Sequence, residues 1–291
     1  MNENSAPRIG VHTSIAGGLP NAVESAVARG CDCFQIFARN PRGWLERPLG
    51  QDEVSKFRMA RERAGLWPMA IHAVYLINLA AQDPVIQARS REAFRQEIER
   101  AIRLGADYLV VHPGNPKTAP AEVGIQTAVE SIREAARGLK LNGEMTILIE
   151  NTAGQGSSIG CDFEQVADII AALDGLPVGV CLDTAHTFAS GYDISTEAGL
   201  RATLRAIKRS FGFERIKLIH SNDSKAPLGS RVDRHQHIGL GHIGADAFRR
   251  MTRNLKFRRI PFILETPVDS ERDDIENIKT LRALASQSLN G

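Results

Sequence analysis

Only four cysteines, Cys31, Cys33, Cys161 and Cys181, occur in 291 residues, and none stands in a CxxC pair. That scarcity excludes a zinc ribbon and a dense disulfide framework, and it suits reduced thiols in a cytoplasmic protein. No window approaches eighteen uninterrupted apolar residues, and the N-terminal MNENSAPR lacks a basic stretch followed by an apolar one. Neither a membrane span nor an export signal is expected. No Pro/Ser-rich linker or low-complexity tract divides the chain, so residues 1–291 read as one domain. Strong charge is missing as well: the formal net charge is +2 with the basic residues dispersed, which by itself gives little reason to expect a nucleic-acid partner. What remains is ordinary globular material, 43% hydrophobic, enough for a large core.

That material is organised by alternation. Short apolar runs at 9–12, 33–38, 69–73, 108–112, 146–150, 178–183, 216–220 and 261–265 predict eight strands. Amphipathic patterns at 21–29, 52–64, 88–104, 121–140, 162–172, 196–210, 245–253 and 273–285 predict a helix after each. A doubly wound open sheet also alternates in this way, but eight units of about 36 residues match a (β/α)8 TIM barrel, which is the fold expected.

The strand ends carry chemistry. In a parallel barrel every strand opens at its C-terminal end onto one face. Here the third strand ends near His72, the fourth at His112, the fifth at Glu150, the sixth at Asp183 with His186 just beyond, the seventh at His220 and the eighth at Glu265. After the seventh, Asp233 and His235 alternate, so an extended backbone turns both to one side. A lone strand-end histidine is more often structural, but six consecutive strands ending in ligand-type residues are not explained that way. The nine side chains offer nitrogen and oxygen without thiolate, a set suited to zinc or manganese. Nine ligands exceed one ion's needs, and about two or three ions fit them.

One motif competes. Gly239-Leu240-Gly241-His242-Ile243-Gly244 matches GxGxxG ahead of a helical pattern, with Glu265 some distance on. A dinucleotide fingerprint follows a strand directly, whereas the polar run 221–237 intervenes here, so no nucleotide cofactor is expected. His237 and His242 read as loop residues, and His12 as a strand-tip residue supporting a ligand.

The segments HTSIAGG (12–18), YLINL (75–79), HPG (112–114), IENTAGQGS (149–157), CLDTAHTFASGYD (181–193), GSRVDRHQHIG (229–239) and LET (264–266) together resemble the endonuclease IV family of abasic-site DNA repair enzymes. The resemblance implies three zinc ions, with manganese able to replace zinc at some positions. It implies hydrolysis of the phosphodiester 5′ to an abasic site, leaving a 3′-hydroxyl and a 5′-deoxyribose phosphate. By the same resemblance His72, His112 and Glu150 hold the first ion, and Glu150, Asp183, His220 and Glu265 the second. His186, Asp233 and His235 hold the third. Glu150 and Glu265 are the expected catalytic carboxylates. Double-stranded DNA carrying an abasic site is the expected partner, met by Asn40, Arg42, Tyr75, Leu76, Gly154 and Gln155, with the protein a monomer. The chain departs from the family where NQRQW is common: it reads Asn40-Pro41-Arg42-Gly43-Trp44, so Gly43 brings no side chain to the duplex.

The implied chemistry is physically coherent. A phosphodiester anion resists attack, so its hydrolysis needs hydroxide near neutral pH and cations near the phosphate and the departing oxygen; clustered divalent ions supply both. An abasic nucleotide has no base to unstack, so extruding it is cheap. Two other readings stand beside this one. A sugar isomerase or epimerase of the same barrel uses strand-end ligands around one or two ions, and metal count separates it. A non-catalytic sensor of damaged DNA does not need the complete ligand set.

Overall fold

The computed structural model describes residues 6–44, 48–141, 143 and 145–286; the N-terminal residues 1–5, part of the stretch read for an export signal, lie outside them. Each apolar run forms a strand and each amphipathic pattern a helix. The first half runs β1 (Ile9–Thr13), α1 (Leu19–Ala28), β2 (Cys33–Phe37), α2 (Gln51–Ala64), β3 (Met69–His72), α3 (Pro84–Leu104), β4 (Tyr108–Val111) and α4 (Ala121–Ala136). It continues with β5 (Thr146–Glu150), α5 (Phe163–Ala172), β6 (Val178–Asp183), α6 (Thr184–Ala189) and α7 (Glu197–Ser210). A single 3-10 turn at Phe213–Arg215 leads into β7 (Ile216–His220), β8 (Asp223–Ser224) and β9 (His235–Gln236), then α8 (Ala245–Arg253), β10 (Phe262–Leu264) and α9 (Asp274–Ser286). Among the described residues no helix is long and apolar enough to cross a membrane.

Eight strands close into a barrel in the order β1, β2, β3, β4, β5, β6, β7, β10 and back to β1. Every neighbouring pair is parallel, so all eight C-terminal ends share one mouth. The expected (β/α)8 barrel is therefore present. Two features were not anticipated: the short helix α6, and a two-stranded antiparallel ribbon of β8 and β9. The ladders of β4 and β10 also stop one residue before His112 and Glu265, which leaves those two side chains at the rim of the sheet.

Alternation along each strand splits the core in two. Side chains facing the helices, such as Phe34, Ile71, Leu109, Ile147, Val180, Ile219 and Phe262, join the large outer core with Phe57, Phe94 and Phe163 from the helices. Side chains facing inward form a separate cluster of Cys33, Ala70, Val110, Leu148, Cys181, Leu218 and Ile263. Helix ends are marked locally. Asp83 caps α3 by accepting from the backbone N–H of Val85 and Ile86 at 2.9 and 3.0 Å, and Gly105 ends the helix at φ 69°.

Candidate metal centre

Two residues beyond each member of the inner apolar cluster, toward the mouth, the next inward position is polar on all seven strands. Gln35 follows Cys33, His72 follows Ala70, His112 follows Val110, and Glu150 follows Leu148; Asp183, His220 and Glu265 follow Cys181, Leu218 and Ile263 in the same way. The period of two thus carries seven polar side chains into one space. All but His112 and Glu265 are buried.

Ligand-type atoms in this space fall into overlapping groups, each within 4.8 Å: His72, His112 and Glu150; Glu150, Asp183, His220 and Glu265; Asp183, His186 and His235; and Glu150, Cys181 and His220, where the thiol joins two residues of the second group. Glu150 is the hinge between the first two. Its Oε2 lies 3.1 Å from His72 Nε2 and 3.2 Å from His112 Nε2, while its Oε1 lies 2.9 Å from His220 Nδ1. Asp233 stands 3.2 Å from His186 Nε2 and 3.4 Å from His235 Nε2 and so completes a third group. A third group of His186, Asp233 and His235 was the expected one; Asp183 also lies close to it, 3.8 Å from His235 Nε2.

Each of four imidazoles has one nitrogen tied to an oxygen outside the cluster. His72 Nδ1 donates to the carbonyl of Ala73 at 2.7 Å, His186 Nδ1 to that of Asn151 at 2.9 Å, and His235 Nδ1 to that of Glu265 at 3.1 Å. His220 Nε2 donates to Gln35 Oε1 at 2.9 Å. A carbonyl oxygen only accepts, so each of these nitrogens carries the proton and the other presents a lone pair to the cluster. His235 Nε2 is buried without a hydrogen-bond partner. An orphaned basic nitrogen beside acceptor-only carboxylates fits a bound cation, and the N/O donor set fits a divalent metal.

Without metal the same geometry holds protons. Burial opposes charge on Glu150, but His220, His112 and His186 keep its carboxyl well below the usual carboxylate range. Burial likewise opposes the cation of His186, yet Asp183, Asp233 and Glu150 raise it well above an ordinary imidazole. His220 is raised against burial by Cys181, Glu265 and Glu150; since burial pushes the Cys181 thiol up to about 12, that sulfur is neutral near pH 7 and the carboxylates carry the effect there. His186 and His235 hold Asp233 down at about 2 despite burial. A metal ion entering the cluster would therefore have to displace protons.

Asparagines brace the ligands. Asn222 Nδ2 donates to Asp183 Oδ2 at 2.7 Å while its Oδ1 accepts from the Glu265 backbone N–H at 2.8 Å. Asn151 Oδ1 accepts from the Asp183 N–H at 2.8 Å. Asp183 in turn caps α6, its Oδ1 accepting from His186 N–H at 2.7 Å, so one carboxylate ends the strand, starts the helix and sets where His186 lies.

Residues 23–285 match the family described as a xylose isomerase-like TIM barrel. A probable endonuclease 4 of Solibacter usitatus is 48% identical over 285 residues, covering 97% of this chain and 98% of the relative. The chain belongs to the endonuclease IV family. The crystal structure of endonuclease IV from Thermus thermophilus is 38% identical with a TM-score of 0.85, covering 96% of this chain and 98% of that one. A D-tagatose 3-epimerase-like protein, 16% identical with a TM-score of 0.71 and coverage of 95% and 96%, shares the fold.

Around the endonuclease IV centre the residues expected at DNA lie at the mouth or its edge. Tyr75 is 69% exposed, its ring 5.1 Å from Phe37 and 6.4 Å from His72. Leu76 is half-buried, whereas Ile77 and Leu79 pack into the core. Asn40 and Arg42 are exposed on a turn closed by Asn40 Oδ1, which accepts from Arg42 N–H at 3.1 Å. That loop is anchored behind them by Arg89, whose guanidinium sits 4.3 Å from the Trp44 ring. Gly154 is buried at φ 77°, and Gln155 is exposed with its Oε1 accepting from Asp233 N–H at 2.9 Å. Gln155 thus positions a ligand loop, a contact the sequence did not suggest.

The glycine motif binds a carboxylate, but the chain's own. Asp223 accepts from the backbone N–H of Gly239, Gly241, Ile243 and Gly244 at 2.9 to 3.2 Å. A Cβ at Gly241 would lie 2.4 Å from Asp223 Oδ1, which explains the glycine. The nest is filled, so it takes no pyrophosphate. His237, with Asp269 and Glu271, forms a further group of potential ligands. Both its ring nitrogens are used, however: Asn277 Nδ2 donates to Nδ1 and Nε2 donates to Asp269, each at 3.0 Å.

Proposed function

We propose that this chain is a zinc-dependent endonuclease IV that hydrolyses the phosphodiester 5′ to an abasic site in double-stranded DNA, acting as a monomer. The observation that carries this is the sharing of Glu150 between two ligand groups, with the third group of His186, Asp233 and His235 adjoining them at one barrel mouth. His72, His112 and Glu150 would hold one ion; Glu150, Asp183, His220 and Glu265 a second; His186, Asp233 and His235 a third. Bound there, three zinc ions supply hydroxide at neutral pH and neutralise charge on the phosphate and the leaving oxygen.

The protein's own residues prepare that chemistry. Pinned imidazole tautomers keep basic nitrogens facing the cluster, so little reorganisation is needed on loading. Tyr75 and Leu76, with Asn40 and Arg42 from the neighbouring loop, would enter a duplex where a missing base leaves room. Gly154 lets the loop after β5 turn at φ 77°, where a Cβ would lie 3.0 Å from that of Cys161.

An epimerase of the same fold is the alternative, and the third group argues against it because one or two ions would not need those residues. The test is a duplex with one abasic site, incubated with and without chelator. Cleavage leaving a 3′-hydroxyl, abolished by chelator and restored by zinc, is expected. A strand left uncut by the loaded protein would contradict the reading.

A further inference from the structure

Gln35 is the one inward polar residue at the mouth level of β2, and no metal ligand lies on its strand. It is fully buried within the sequence Cys33-Phe34-Gln35-Ile36-Phe37, where a buried amide needs its hydrogen bonds supplied. One of those bonds goes to His12, the partner of Gln35 across β1, and the other two go to expected metal ligands. Gln35 Nε2 donates to Glu265 Oε1 at 2.6 Å and meets His12 Nδ1 at 3.0 Å, while Gln35 Oε1 meets His220 Nε2 at 2.9 Å. The orientation of the amide is fixed by this arrangement. A carboxylate oxygen only accepts, so the atom facing Glu265 is the NH2 group and the atom facing His220 is the carbonyl oxygen.

Three consequences follow for the ligands. His220 must keep its proton on Nε2 to meet that carbonyl, which leaves Nδ1, 2.9 Å from Glu150 Oε1 and 3.4 Å from Glu265 Oε2, as the basic nitrogen. Glu265 has Oε1 occupied by the amide, so Oε2 is the oxygen turned to the cluster. His12 accepts at Nδ1 and is held neutral with its proton on Nε2. One side chain therefore decides which atoms of two ligands are offered, and both ligands belong to the group that also contains Glu150 and Asp183.

We propose that Gln35 is a positioning residue of the metal centre, setting the tautomer of His220 and selecting Oε2 of Glu265, and that it controls occupancy of that one ion position. This rests on the three-ion reading above. The hydrogen bonds of His72, His186 and His235 go to groups other than Gln35, and the first position meets it only indirectly, through the shared Glu150 beside His220.

The test replaces the amide by an apolar chain of similar length, Gln35→Met, and by a shorter amide that cannot reach both partners, Gln35→Asn. Wild type and variants are loaded with zinc, dialysed against graded chelator, and analysed for metal by elemental analysis, with circular dichroism on the same samples. The expected result is that one ion per chain is held about 10–100-fold more weakly than in wild type while the others leave at wild-type chelator concentrations. A purely packing role would not produce selective loss. The proposal is overturned if every ion in both variants is retained as in wild type, or if all are lost together as the fold weakens. Gln35→Asn decides the matter should Gln35→Met not fold. A wild-type protein that retains no zinc would instead overturn the three-ion reading itself, which separates the two failures.

Discussion

The two inward levels of the barrel lie two residues apart on each strand, roughly 7 Å, and they behave oppositely. The deeper level, Cys33, Ala70, Val110, Leu148, Cys181, Leu218 and Ile263, is at most 1% exposed and needs nothing but its own packing. The upper level, from Gln35 to Glu265, is largely buried too, yet it sets carboxylates beside one another and imidazole lone pairs beside carboxylates. Burial stabilises the first set through the hydrophobic effect and burdens the second with desolvated charge. The lower level is a foundation that fixes where the upper residues lie, and the upper level is arranged for cations.

The comparison breaks most visibly at Glu150, the ligand shared by two groups. Glu150→Gln should lower cleavage of an abasic duplex by well over about 100-fold, since losing even a residue that only supports a ligand costs 10–100-fold. Binding to the same duplex should change far less wherever the metals remain. At the deeper level the expected effect is reversed in kind. Leu148→Ala, one step below on the same strand, should cost about 2–5 kcal/mol of stability in a denaturant titration while leaving metal content per folded chain unchanged. Loss of metal from folded Leu148→Ala protein would show that the two levels are not separable.

Protons sharpen the same contrast. In metal-free protein the raised imidazoles of His186 and His220 contribute stability that is complete below the ordinary value of 6.5 and is lost as pH rises through their higher folded values. The depressed carboxyl of Glu150 contributes stability present above its ordinary value of 4.5 and lost as pH falls through its lower folded value. Metal-free protein is therefore best held between those limits, whereas metal binds better as protons leave. The melting-temperature gap between loaded and metal-free protein should widen from about pH 6 to about pH 8; a constant gap would remove the histidines from the exchange. The smallest effect is expected at the rim. Tyr75→Ala should alter stability by less than about 1 kcal/mol but weaken binding to abasic duplex more than to undamaged duplex. Equal weakening would make Tyr75 a packing residue.

The barrel and most of the upper level were legible because both follow from periodicity. Eight apolar runs announce the strands, and a ligand-type residue at the end of each is easy to see when it is His72, Glu150 or His220. Gln35 was passed over because glutamine inside an apolar run is not a ligand type; its position two residues after Cys33, the offset shared by His72 after Ala70, is the signal that would have found it. Asn151 and Asn222 were hidden for a different reason: each follows a strand-end ligand closely and looks like ordinary loop composition. Helix α6 escaped because it is six residues long with no room for a helical repeat, although Asp183 three residues before His186 is its capping signal. The glycine motif misdirects for the opposite reason, since its nest is real but Asp223 occupies it.

The central claim is that the upper level exists to gather three metal ions around Glu150 and Asp233. Elemental analysis of purified, fully active protein tests it most directly, with the metal counted per folded chain. The account predicts close to three zinc ions in wild type. A fully active protein holding a single tightly bound ion would contradict it and favour the epimerase-like use of this barrel.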